Sequence, residues 1–264
     1  MNRSIRFAFI SFAVMLASVL PVMYLNVFSR IKLDPLYKTL IGQFIEMLVV
    51  ILFVTMVHWW DRTGIQRGFD LKCLIYMLPF LLLIGLLLMN GIKTKEPSRF
   101  AVFLILSAFT GFCEETMFRG VIYNSLRKHG RFFAIMFSSF LFGLAHMMNL
   151  FTGVDIRVIL LDVLATFGFG LVFVVAYEYI GTLLPLIVVH ALIDFSSYIN
   201  RDYIMTEAPA KYSTDSAVLN LILALILIVW SLSVIIVKKN KDVNNGTDGG
   251  SPESLSENDA EESA

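Results

Sequence analysis

The chain has 264 residues, of which 57% are hydrophobic, 13% aromatic and only 16% charged, with a formal net charge of zero. Charged residues make up about a quarter of an ordinary soluble domain, so that class is excluded, and the balanced charge gives no electrostatic argument for a nucleic-acid partner. Apolar runs near the roughly 20 residues that span a bilayer recur along most of the sequence, which predicts an all-α, polytopic membrane helix bundle of about eight transmembrane helices.

In chain order, the first span runs from about Ile5 to Phe28. It follows Arg3 and Arg6 and lacks a small-residue cleavage pattern, so it reads as a retained helix. A second span, about Thr39 to Trp60, ends in Trp59-Trp60, which suits an aromatic anchor at the interface. A polar connector with Gly64 and Gly68 leads to a third span, about Cys73 to Met89, with Pro79 tolerated inside it. Pro97-Ser98 marks a helix start. The fourth span runs from near Arg99 past Glu114 and Glu115 to about Lys128. The fifth covers about Arg131 to Leu150 and the sixth about Arg157 to Tyr179. Gly181-Thr182 turns into the seventh, which carries Pro185, His190 and Asp194 and ends near Tyr198. The eighth covers about Ala217 to Val237.

Residues 1–238 therefore read as one transmembrane domain without internal repeats. Residues 239–264 are rich in Gly, Ser, Asn and acid, a composition expected to be a disordered cytoplasmic tail. Cys73 and Cys113 both sit in apolar segments and imply neither a disulfide framework nor a metal knuckle. With an even number of spans both termini share a side. Placing that side in the cytoplasm gives the inner segments, among them Arg3, Arg6, Arg62, Arg67, Arg127, Lys128 and Arg131, a slight excess of Lys and Arg. The expectation is a multi-pass cell-membrane protein with both termini cytoplasmic.

Ionisable groups inside such spans cost several kcal/mol by most scales and generally line a site or pathway. At about 1.5 Å per residue, Glu114 lies about 21 Å before Lys128, and His146 about 21 Å after Phe132. A hairpin turning at His129-Gly130 thus puts the carboxylates and the imidazole at one depth. Glu115 and Arg119, four apart, share a helix face suited to an ion pair, while Glu114 points about 100° away and is left to face a cavity. His190 and Asp194 likewise share a face. Amide hydrolysis needs an activated water, a proton for the leaving amine and donors for the oxyanion, and Glu114 suits the base. Glu114, His146 and His190 could equally hold a zinc ion with an open position for water. H-E-x-x-H is absent, which excludes ordinary zincin architecture. The bland alternative treats His146 and His190 as interhelical hydrogen-bonding residues. His58 reads as interfacial and His129 as a helix C-terminal residue, while Glu46 and Asp162 lie in other spans, Asp162 deep enough to be a secondary candidate.

E-E-T-M-F-R-G at 114–120, F-G-L-A-H at 142–146 and G-T-L-L-P-L-I-V-V-H-A-L-I-D at 181–194 resemble the three signature motifs of the CPBP family. That family comprises CAAX-type prenyl-protein endopeptidases and bacterial intramembrane relatives, some linked to bacteriocin processing or self-immunity. The resemblance covers about residues 98–197. It implies Glu114 as catalytic glutamate with Glu115 and Arg119 completing the motif, Phe142 and His146 from the second motif, and His190 from the third. Asp194 stands where the prenyl-protein proteases often carry Asn. An ionised Asp donates no hydrogen bond to an oxyanion, so it is protonated, orients His190 or binds metal, and the second and third of these are preferred.

The resemblance implies an intramembrane metalloendopeptidase that cuts a peptide or membrane-protein substrate, prenylated or of bacteriocin type, within the lipid bilayer. A divalent metal such as Zn and metal-free water activation by Glu and His are both open. The other function class is a non-catalytic membrane scaffold, immunity or transport-like protein that keeps the polar core for structure.

Overall fold

The structure, a computed structural model, describes residues 2–68, 71–89, 91–152, 155–201, 221–222 and 225–236, and the side chains of 72–74, 152 and 201 are not among those described. The expected tail at 239–264, most of the loop before the eighth span and that span's first residues lie outside the described residues.

Helix α1 (Arg3–Met23) starts at Asn2, whose side chain accepts from the Ser4 N–H, and runs on through a π turn at Tyr24–Phe28. Helix α2 (Pro35–Met56) has Asp34 as its cap, accepting the Leu36 N–H at 2.8 Å, and Pro35 in the first turn, where its missing N–H costs nothing. A single turn at Trp60–Thr63 follows. The third apolar segment differs from the expected uniform helix. It is 3₁₀ over Leu71–Met77 and α-helical only as α3 (Leu78–Met89), so Pro79 falls in the first turn of the α-helical stretch.

Helix α4 (Pro97–Glu115) continues through a π segment at Thr116–Tyr123 into one helical run ending at His129. After Gly130, whose φ of 104° suits glycine, comes α5 (Arg131–Ala145). The α-helix stops there and His146–Thr152 is 3₁₀, so the expected fifth span changes character at the very histidine of interest. Helix α6 (Ile156–Ile180) is capped by Asp155, and α7 (Leu184–Arg201) follows the tight turn at Gly181. Helix α8 is described over Leu225–Ile236.

No strand occurs among the described residues. Five helical runs, Arg3–Phe28, Pro35–Met56, Pro97–His129, Arg131–Phe151 and Ile156–Ile180, are long and apolar enough to cross a membrane, while Ile75–Met89, Leu184–Asn200 and Leu225–Ile236 are shorter apolar helices. Large apolar side chains such as Leu52, Leu82, Phe140 and Leu160 point outward. In water such a surface would be a liability, but in lipid it is the solvated face. The protein is an all-α, polytopic membrane bundle.

Its core gathers where α4 and its continuation meet α5, α6 and α7, around Phe118, Val121, Ile122, Tyr123, Ile135, Phe142, Val172, Phe173 and Leu186. Two glycines set the spacing. A Cβ on Gly111 would stand 2.9 Å from the Ile187 carbonyl of α7, and one on Gly143 would stand 2.7 Å from the Val163 carbonyl of α6. Small residues let membrane helices approach backbone to backbone. Gly111 precedes Glu114 by three residues, and Gly143 precedes His146 by three, so each close crossing carries a polar residue to a neighbouring helix one turn further on.

Candidate active site

Glu115 is fully buried at the end of α4. Its Oε1 accepts from Arg119 Nη1 at 2.9 Å, the pair expected from their spacing, and both side chains are almost inaccessible. Arg119 also donates through Nη2 to the Gly170 carbonyl at 3.3 Å. Its guanidinium lies between two rings, 4.4 Å from the centre of Phe142 and 5.0 Å from that of Phe173. Cation–π contact of this kind offsets part of the cost of taking the charge out of water.

The same Glu115 oxygen meets Nδ1 of His190 at 2.7 Å. A carboxylate already paired with a guanidinium only accepts, so the shared proton is carried on Nδ1 and donated to Glu115. In the neutral ring Nε2 is then the acceptor nitrogen. It faces two more carboxylates, Glu114 Oε2 at 3.6 Å and Asp194 Oδ2 at 3.8 Å. Both distances exceed a direct hydrogen bond. Glu115 thus makes the direct hydrogen bond to His190, while Asp194, placed beside it by the i, i+4 spacing, stands 3.8 Å from the other ring nitrogen. The reason is helix crossing: Gly111 brings α4 close enough for Glu115 to reach the imidazole first.

His146 belongs to a separate pair. Its Nδ1 lies 3.3 Å from Asp162 Oδ2 on α6, and Asn149 Nδ2 approaches the same oxygen at 3.5 Å. The Phe142 ring stands edge-on to both histidines, with centres 5.7 Å from His146 and 6.4 Å from His190. The charges of Glu114 and Asp194 are close enough to act on His146. All six expected residues, Glu114, Glu115, Arg119, His146, His190 and Asp194, thus gather in one place. Glu115, Arg119 and His190 form a buried floor, at 0%, 2% and 9% side-chain exposure. Glu114, His146, Asp162 and Asp194 form a rim exposed by 20–27%.

Among the described residues no three His, Cys, Asp or Glu side chains are grouped so as to hold a metal ion. Each histidine turns its Nδ1 to a carboxylate, Glu115 for His190 and Asp162 for His146, and Nε2 of His190 stands 3.6 Å from Glu114 Oε2. Sequence reasoning held Asp162 only as a secondary candidate. It passed over Phe173 and the Gly170 carbonyl, which lie in an apolar helix with no motif to flag them.

Residues 96–196 match the family model described as Type II CAAX prenyl endopeptidase Rce1-like. That segment begins at the start of α4, ends within α7 and contains every residue of the site. No curated protein matches the chain. The match supports assignment of residues 96–196 of this multi-pass membrane protein to the CAAX-type (CPBP) protease family.

Proposed function

We propose that the protein hydrolyses a peptide bond of a membrane-associated substrate, prenylated or of bacteriocin type, with Glu114 as general base. The observation that carries this reading is the 3.6 Å gap between Glu114 Oε2 and His190 Nε2. It is too long for a direct bond and suits groups that share a water. Glu114 takes one proton as the water oxygen attacks the carbonyl carbon. The resulting carboxylic acid then gives that proton to the leaving amine, which restores the carboxylate. His190, fixed by Glu115, holds the water on its acceptor nitrogen. His146, as an imidazolium beside Asp162, donates to the oxyanion. This assigns to His146 the donor role that an ionised Asp194 lacks. Phe142 keeps the two imidazoles apart so that each serves a different atom of the reaction.

The substrate reaches the site from the side of Lys128 under this reading. That side is the cytoplasm and holds both termini, including the hydrophilic residues 239–264 as a tail. In the scaffold alternative the polar core serves structure only. The deciding experiment compares the membrane peptidome of cells carrying the wild type or Glu114→Gln. The variant is expected at normal abundance with cleavage reduced by a factor of about 10² or more. A wild-type cleavage pattern in Glu114→Gln would establish the scaffold reading.

A further inference from the structure

At the end of the bundle where α1 begins and α2 ends, a cavity of about 710 Å³ opens beside the last turns of the helical run that ends at His129. Its lining includes Arg3, Arg62, Arg67, Arg127 and Lys128, and no acidic residue. These cations come from three separate stretches of chain. Like charges gathered within a Debye length repel one another, so their convergence calls for structural ties, and the ties are present. Ser4 Oγ and the His129 ring meet at 2.5 Å, joining the start of α1 to the end of that run. Asn124 Nδ2 donates to the Arg62 carbonyl at 2.9 Å. Trp59 Nε1 donates to the Gly120 carbonyl at 3.1 Å, and the Arg62 guanidinium lies 4.6 Å above the Trp59 ring. Arg127 is shared with Glu178, whose Oε1 stands 3.6 Å from its Nε. For Arg3, Arg62, Arg67 and Lys128 no ion pair with a carboxylate is found among the described residues.

We propose that this cavity is an anion site that takes a phosphate group, and that the phosphate is the headgroup of an anionic phospholipid. Guanidinium forks match phosphate oxygens in pairs, and a guanidinium stacked on an indole is already oriented to use them. Position selects the lipid. The cavity lies at the ends of three membrane-crossing runs and beside Trp59 and Trp60, a depth at which headgroups and indoles meet. This inference concerns binding alone, and its test does not depend on the hydrolytic reading.

The full chain is reconstituted in nanodiscs with equal phosphatidylglycerol and phosphatidylcholine, and retained lipid is read by native mass spectrometry. The wild type is expected to retain phosphatidylglycerol. The double variant Arg62→Gln/Arg67→Gln should bind it about thirtyfold more weakly. Arg62→Lys/Arg67→Lys keeps the charge and should keep most of the binding, which separates loss of charge from misfolding. Arg30→Gln/Lys32→Gln, in the exposed segment after α1 at the far end, should change nothing. In a second arm inorganic phosphate is added to discs of phosphatidylcholine alone. If phosphate binds there as tightly as phosphatidylglycerol does, the anion site stands and its source is soluble. No preference for phosphatidylglycerol combined with no phosphate binding, or a preference untouched by Arg62→Gln/Arg67→Gln, overturns the proposal.

Discussion

His190 and His146 each turn Nδ1 toward a carboxylate, yet the two pairs sit in opposite surroundings. The Glu115 that holds His190 is fully buried and neutralised by Arg119, with two aromatic rings closing over the guanidinium. The Asp162 that holds His146 is 20% exposed, has no Arg or Lys partner among the described residues, and is approached otherwise by Asn149 at the long distance of 3.5 Å. A buried ion pair is a poor source of stability, but removal of one member is severe because it strands the other charge. A rim pair can lose a member and let water replace it. The comparison teaches that one histidine is built into the fold, whereas the other is held loosely enough to meet a substrate.

The sharpest way to break this contrast is Glu115→Gln. With Arg119 left buried and uncompensated, the cost is about 3–5 kcal/mol, seen as lower folded yield and a lower melting temperature in detergent, with activity lost as a consequence. Asp162→Asn should behave differently. Its melting temperature should stay near that of the wild type while turnover falls about a hundredfold, because His146 loses the carboxylate that stabilises its imidazolium. Equal thermal losses in the two variants would abolish the distinction between floor and rim.

Much of this contrast was legible in the sequence and part of it was not. The i, i+4 spacing of Glu115 and Arg119 determined which carboxylate would be sequestered, and the distances from Gly130 put His146 at the depth of Glu114. Those are properties of single helices and of one hairpin. Which carboxylate would reach which imidazole depended on where the helices cross, and the crossings are set by Gly111 and Gly143 against carbonyls of α7 and α6. Asp194 shares a helix face with His190, but Glu115 arrives closer from another helix. Asp162 stood out only as a secondary candidate, and Phe173 and Gly170 were hidden, because α6 is apolar around them and carries no motif.

Smaller effects sharpen the picture. Asp194→Asn removes a charge 3.8 Å from His190 Nε2 but no hydrogen bond to it, so turnover should change by less than about tenfold. A larger loss would place Asp194 against the substrate. The smallest effect expected is that of a tight chelator on the purified enzyme, which should leave cleavage unchanged since the proposed steps use only protein groups and water. Inhibition reversed by added zinc would show that Glu114 and the two histidines rearrange around a cation, and both pairings described above would then belong to a resting form.

The π segment at Thr116–Tyr123 bears on how the chain can change length during evolution. A π turn holds one residue more than an α turn over a similar stretch, and here the surplus coincides with Gly120, whose carbonyl accepts from the Trp59 indole and from Asn124 Nδ2 at 3.0 Å. Deleting one residue inside this segment would let the helix relax to α geometry with the halves before and after it nearly in phase. Deleting one between Val102 and Gly111 would instead rotate the preceding turns by about 100° relative to Glu114 and unseat their packing. Single-residue gaps among relatives should therefore concentrate at 120–123, since a gap before Arg119 would break its i, i+4 pairing with Glu115. A relative bearing such a gap should keep its glutamates in place and lose the link between the indole and the helix that carries them.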